Sequence, residues 1–249
     1  MKKRKPLKIV AIGGGTGTFI VLTALRNYAP KFKRRNVRLT AVVSMADDGG
    51  STGKLRDEYG VLPPGDIRRA LVALSPSSRL RDLFNYRFRR IDNKSRRKGL
   101  DGHSFGNLFL AALEHITGSF GKAVEETSEI LNIKGEVVPV TLNNVRLVAR
   151  LKNGRIVRGE TNIGIPKSKT RSPIKDIWLE PPARINPAAR RAILAADLII
   201  IGPGSLYTSI VSNLAVGGVV RAIRNSEAKR AYIANLMTEY GETRGYGAL

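Results

Sequence analysis

LKIVAIGGGTGTFIVLTALRNYA, residues 7 to 29, is the stretch on which the fold turns. LKIVAI is a continuous apolar run, the pattern of a strand buried on both faces, and it leads directly into three glycines. TFIVLTALRNYA (18 to 29) then spaces its apolar residues as a helix does and ends at Pro30. Strand, glycine turn and helix in that order open a parallel sheet with helices on both faces. The residues upstream, MKKRKP, imitate the basic start of a secretory leader. The apolar run behind them is too short for one and meets glycines instead of a small-residue cleavage site, so it is assigned to the first strand.

Working outward, VRLTAVVSM (37 to 45) is the second strand. Helices are predicted over 65 to 75, 79 to 90 and 104 to 118, the last with Gly118 as its C-cap, and 91 to 101 is a polar loop. From Glu136 to about Ile177 the texture changes. VVPVT is a strand, and VRLVARLKNGRIVRG alternates about Asn153-Gly154, a dipeptide favoured in two-residue hairpin turns. The α/β texture returns with a helix over 186 to 196, a buried strand in DLIIIGPGS (197 to 205) and another strand within AKRAYIANL (228 to 236). The expectation is one α/β domain over 1 to 249, a mostly parallel doubly wound sheet with a β-hairpin excursion about 136 to 177. The chain's 249 residues, 42% hydrophobic and 25% charged, suffice for such a core and argue against general disorder.

The chain has no cysteine, which excludes disulfides and thiolate chemistry, and no run approaching the ~18 apolar residues of a membrane span. A cytoplasmic location is the default expectation. The extreme quantity is charge: 43 Lys and Arg against 20 Asp and Glu leave a formal +23. Lys31, Lys33, Arg34, Arg35 and Arg38 cluster early, and residues 79 to 98 carry nine cations against Asp82 and Asp92. Such patches suit nucleic acid, lipid or phosphorylated ligands. No nucleic-acid motif accompanies them, and Phe32, Phe84, Tyr86 and Phe88 fall at helical spacing as core anchors, so a solvated basic surface is the preferred reading and nucleic acid is not expected as a partner.

Five loops are able to carry chemistry. AIGGGTGT (11 to 18) offers free N–H groups at a helix start, where a phosphate can approach. As a dinucleotide fingerprint it fails: Gly13 and Gly15 fit but Thr18 holds the third glycine position, and a P-loop ending is missing. SMADDGGSTG (44 to 53) follows the second strand, so Asp47 or Asp48 is placed to hold ribose hydroxyls, or the pair a magnesium ion; Gly49, Gly50 and Gly53 let backbone pass close to a ligand, and Ser51 or Thr52 donate. In LPPGDIRRAL (62 to 71) Asp66 reads as a structural N-cap. His103, in DGHSFGNLFL, precedes a helix start and suits donation to a phosphate or proton transfer; Ser104 is a cap, and His115 is too isolated for a histidine metal site. IIIGPGSLYTSI (199 to 210) repeats the logic of the first loop, with Ser205 as a candidate N-cap.

In this order the motifs GGGTG (13 to 17), DDGGSTG (47 to 53), PPGDIR (63 to 68), GHSFGNL (102 to 108), GPGSLYTS (202 to 209) and NLMTEYGET (235 to 243) resemble the CofD-like superfamily, specifically its YvcK or gluconeogenesis-factor branch. The resemblance implies a Rossmann-like fold with its ligand at the strand ends, and a nucleotide-sugar site formed by Gly13, Gly14, Gly15, Thr16 and Gly17, by Asp47 to Gly53, by His103 and Asn107, and by Gly202, Gly204, Ser205, Tyr207 and Thr208. For the YvcK branch it implies a UDP-sugar binder, for example of UDP-N-acetylglucosamine, linked to carbon metabolism, cell shape and cell-wall synthesis, without established turnover. For the transferase branch it implies a magnesium-dependent transfer of a phospholactyl group from a guanosine diphosphate-linked donor. The sequence leaves a homo-oligomer open. Three departures stand out: the sequence stops at GETRGYGAL where family members continue, so the C-terminal wall of the site is expected to be absent; Arg244 replaces the usual acid after GET; and the basic excess is unusual.

Overall fold

The structure is a computed structural model that describes residues 5–31, 36–90, 99–166 and 172–247. Its strands are β1 (Leu7–Gly13), β2 (Val37–Val43), β3 (Glu136–Pro139), β4 (Arg146–Leu151), β5 (Ile156–Arg158), β6 (Ile174–Glu180), β7 (Leu198–Ile201) and β8 (Lys229–Tyr232). Five of them form a parallel sheet of order β3-β2-β1-β7-β8, and the other three an antiparallel sheet of order β5-β4-β6. The continuous apolar runs are explained by burial on both faces: Ile9 to Ile12 and Ala41 to Val43 are all buried beneath helices.

The flanking helices are α1 (Gly15–Tyr28), α2 (Gly50–Tyr59), α3 (Gly65–Leu74), α4 (Ser78–Asn85), α5 (Phe105–Thr117), α6 (Phe120–Ile130), α7 (Glu160–Gly164), α8 (Pro187–Leu194), α9 (Ser212–Leu214) and α10 (Val219–Asn225). A wide helical turn over Leu206–Val211 leads into α9. Ser104 and Asn186 cap α5 and α8 as their side chains suggest, and Gly118 closes α5 in the left-handed conformation with φ 66°.

Four expectations need correction. The segment 136 to 139 is not part of the excursion: β3 pairs in parallel with β2 at the edge of the main sheet, and the antiparallel arm begins only at β4. The hairpin turn at Asn153-Gly154 holds three residues, because Gly154 (φ 85°) donates to the Leu151 carbonyl while Leu151 donates to that of Arg155. DDGGSTG is only partly a loop, since Gly50 starts α2. Helix α4 stops at Asn85, so of the aromatic anchors only Phe84 is buried, edge-on to Phe105 and Phe109; Tyr86 is exposed beside Phe88, and Phe32 lies outside the described residues. So do Lys33 to Arg35 and residues 91 to 98 of the basic patches. Several of the described cations brace backbone: Arg81 donates to the Ser75 carbonyl (2.9 Å) and Arg87 to that of Gly102 (2.8 Å). Among the described residues no helix is long and apolar enough to cross a membrane.

The chain leaves β1 toward β2 on one side while β7 joins β1 on the other, so the sheet changes winding direction between β1 and β7. Their registered ends, Ile12 opposite Ile201, bring the first and fifth loops together. A Cβ at Gly17 would overlap the Pro203 carbonyl, so only glycine permits this contact. Gly17→Ala is therefore expected to lower stability by about 1–3 kcal/mol in chemical denaturation. Gly121→Ala, whose Cβ meets nothing nearer than 3.7 Å, should be neutral or slightly stabilising.

Candidate functional site

At the carboxyl ends of the parallel strands lies a cleft of about 710 Å³. Its wall is built from Gly15 at the start of α1, from Asp47 and Gly49 before α2 and Gly50 at its start, and from Asp66 and Arg69 on α3. The antiparallel arm adds Glu160, Thr161 and Gly164 to Pro166; the fifth loop adds Ser205, Thr208 and Ser209, and Glu239 to Gly241 close the side. Both glycine turns thus reach one cavity. From the first loop only Gly15 lines it. Gly13, Gly14 and Thr18 are buried, Thr16 faces solvent, and Gly17 packs on Pro203.

The acidic pair divides. Asp47 faces the cleft and is held there by the Gly49 N–H on Oδ1 and the Thr52 hydroxyl on Oδ2, both at 2.9 Å. Asp48 turns away: its carboxylate accepts the N–H groups of Glu160 (3.0 Å) and Thr161 (2.9 Å), the open donors at the start of α7. It pins the antiparallel arm to the main domain, and the expected metal pair Asp47–Asp48 is not formed on one face. Asp66, read from sequence as a cap, is instead the second acid of the cleft. It lies one residue inside α3, beside the Gly15 N–H, which favours its charged form, and pairs with Arg69 at 3.3 Å.

His103 and Asn107 also differ from expectation. Both are buried behind α2 and neither lines the cleft. The Ser51 hydroxyl meets His103 Nδ1 at 3.1 Å and accepts from Asn107 Nδ2 at 3.2 Å, while Arg68 Nε donates to Asn107 Oδ1 at 3.0 Å. This chain of buried polar groups ties α2 to α5 and α3. Burial, with the Lys54 charge nearby, pushes the His103 pKa down, which keeps the ring neutral. Ser51 and Thr52 therefore position the loop, and Gly53 packs on the Asp48 carbonyl.

The fifth loop holds an anion already, supplied by the chain. The Glu242 carboxylate accepts the N–H of Tyr207 (2.6 Å) and of Thr208 (3.3 Å) and the Thr208 hydroxyl (2.6 Å). Ser205 occupies the cap position but its side chain makes no capping bond. Gly204 exchanges two hydrogen bonds with the Asn235 side chain, and the Tyr207 hydroxyl, pushed up to about 12 by burial and by Tyr246, lies 3.1 Å from that of Tyr246. Gly202 (φ 78°) forms the turn itself.

The cleft is acidic inside a basic chain. Burial, then the Asp47, Asp66, Asp48 and Glu242 charges, push Glu160 up to about 8. Burial and Asp47 push Asp66 up to about 7 against the pull of Arg69, and burial raises Glu242. Sequence reasoning passed over Asp66, Arg69, Glu160, Glu239 and Glu242 as site residues. LPPGDIRRAL and NLMTEYGET contain all but Glu160, whose place depends on how the arm folds back.

Fold and cleft define a Rossmann-like α/β protein that presents two glycine turns and an acidic rim to one strand-end crevice. The chain belongs to the CofD family: the family model described as 2-phospho-L-lactate transferase CofD matches residues 9–249. Within it the similarity runs to the YvcK-type proteins. The "Gluconeogenesis factor" of Bacillus subtilis is 46% identical over 248 residues, 98% of this chain and 72% of that protein. A relative from Nostoc sp. is 50% identical over 241 residues, yet the chain spans only 49% of its length. The crystal structure of protein BH3568 from Bacillus halodurans superposes with a TM-score of 0.88 at 42% identity, covering 98% of this chain and 74% of that one.

The raised carboxyls make stability depend on pH. Glu160 and Asp66 keep their protons up to about 8 and about 7 when folded, whereas in the unfolded chain they release them near the ordinary value of about 4. Over that window the folded state binds more protons, so stability falls as pH rises. Urea denaturation at about pH 5 and about pH 8 should show the decline, and Glu160→Gln should flatten it; a profile rising toward the higher pH would contradict the assignment.

Proposed function

We propose that the cleft binds a nucleotide-linked diphosphate, a UDP-sugar such as UDP-N-acetylglucosamine, and that the protein is a cytoplasmic regulator linked to carbon metabolism, cell shape and cell-wall synthesis. The observation that carries the reading is the convergence of the β1 and β7 glycine turns on one cleft of about 710 Å³, a size that suits a ligand of this class. Among the described residues Arg69 is the cation of its wall. It now pairs with Asp66 and is placed to exchange that partner for a ligand phosphate. Kinship with proteins named gluconeogenesis factor supports the regulatory role.

The family's transferase branch implies magnesium, and the residues fit it with one change of partner. Asp47 and Asp66 offer hard oxygen donors whose mutual repulsion a divalent cation relieves. Among the described residues no three acids or histidines cluster as a closed metal cage. This agrees with magnesium's habit of taking one or two carboxylates and completing its shell with phosphates and water. Bound there, the ion would neutralise phosphate charge beside the acidic rim.

A second reading, phospholactyl-type transfer, has one observation in its favour. Asp66 is buried beside Asp47 with its pKa raised to about 7, and a carboxyl that titrates near neutrality suits general acid–base chemistry. Release of guanosine monophosphate from a guanosine diphosphate-linked donor would establish it.

Isothermal titration with UDP-N-acetylglucosamine, with and without magnesium, tests the leading reading. Binding should require magnesium in the native protein. Arg69→Gln should weaken it about tenfold or more, as loss of a charge-assisted hydrogen bond does. Asp47→Asn should abolish the magnesium dependence, whereas Asp48→Asn should leave that dependence and cost about 1 kcal/mol of stability. No heat at millimolar UDP-sugar with folded protein removes the proposal.

A further inference from the structure

Residues Asn235 to Tyr246 form a strap without strand or helix, and its middle, Glu239 to Gly241, walls the cleft. Among the described residues little apolar burial holds the strap. Leu236 and Met237 are 103% and 82% exposed, and Tyr240 and Tyr246 are exposed as well. Among the described residues its attachments include Asn235 on Gly204, Gly241 against the Gly164 carbonyl and the Pro166 ring, Tyr246 on Tyr207, and Glu242 on Tyr207 and Thr208. Of these side chains Glu242, at 6% exposure, is the buried one. A segment with few buried apolar contacts opens at low cost, so its closure depends on such bonds.

Two carboxylates of the chain meet the N–H groups of the glycine loops, and they differ in freedom. Asp66 belongs to α3, whose body is buried, and cannot leave Gly15 without unpacking the core. Glu242 sits on the strap and can leave with it. Glu239, three residues before it on the strap, also opposes its charge.

We propose that Glu242 is a latch: its carboxylate occupies the Tyr207 and Thr208 donors where an anionic group of the ligand binds, so that ligand and strap closure compete. The nature of the competitor rests on the ligand reading above; the latch rests on the contacts of Glu242 alone. Coupling of this kind is reciprocal, so whatever removes the latch must tighten anion binding at these donors.

The test uses the full chain, inorganic pyrophosphate with magnesium as probe, and amide exchange over 235 to 246 followed by mass spectrometry. Glu242→Gln and Glu242→Ala should bind pyrophosphate about tenfold more tightly, within the roughly 5–150-fold range of such couplings. Exchange over the strap should rise in both variants, and in the native protein when pyrophosphate is added. Thr208→Val, which removes a donor and keeps the carboxylate, should loosen the strap too and serves if the Glu242 variants do not fold. Unchanged or weaker pyrophosphate affinity in both Glu242 variants, absence of binding to all proteins, or a strap that exchanges equally in all of them overturns the latch. The two readings fail separately: a strap loosened by substitution while UDP-sugar gives no heat removes the UDP-sugar alone. UDP-sugar binding with equal strap exchange removes the latch alone.

Discussion

The parallel pairing of β1 with β7 is the constraint from which the site follows. Adjacent strands running in one direction release their loops at one edge, and the register that sets Ile12 beside Ile201 fixes how far apart those loops start. The remaining distance is closed by the contact of Gly17 with the Pro203 carbonyl, where a methyl group would hold the turns apart. Every other wall of the cleft is built around that junction: α2 and α3 come to it from the β2 side, and the antiparallel arm folds over it from β4 and β5.

The helix starts around the cleft share one electrostatic device. Each exposes backbone donors, and each meets a carboxylate of the same chain: Asp66 at Gly15, Asp48 at Glu160 and Thr161, Glu242 at Tyr207 and Thr208. Three turns are thereby tied to three distant segments, which orders the cleft. Together with Asp47 these acids raise the proton affinity of Glu160 and leave an acidic cleft inside a chain with a formal +23. Net charge is a sum over the surface and carries no information about the sign inside a pocket that the fold gathers from distant segments.

Much of the fold was legible because the signals were local. Long apolar runs declared β1, β2 and β7, glycines and capping residues declared the starts and stops of α1, α5 and α8, and ordered motifs declared the family. The errors came where local pattern met non-local pairing. VVPVT looked like part of a β arm because a four-residue strand carries no mark of its partner, and α2 was hidden because GSTG is a poor helix former whose conformation is stabilised by Asp47 and the buried Ser51–His103–Asn107 network.

By itself the sequence determined the α/β class, the strand-end location of the glycine turns and the kinship with the CofD family, since each depends on residue order over short windows. Only the tertiary structure decided which acid faces the cleft. Asp47 and Asp48 are adjacent and chemically alike, yet one is turned inward by Gly49 and Thr52 and the other is claimed by α7, more than a hundred positions away. The same holds for Asp66 and Glu242, whose roles come from backbone donors contributed by other segments. Hydrogen-bond partners across the fold are set by packing, and a one-dimensional pattern does not contain them.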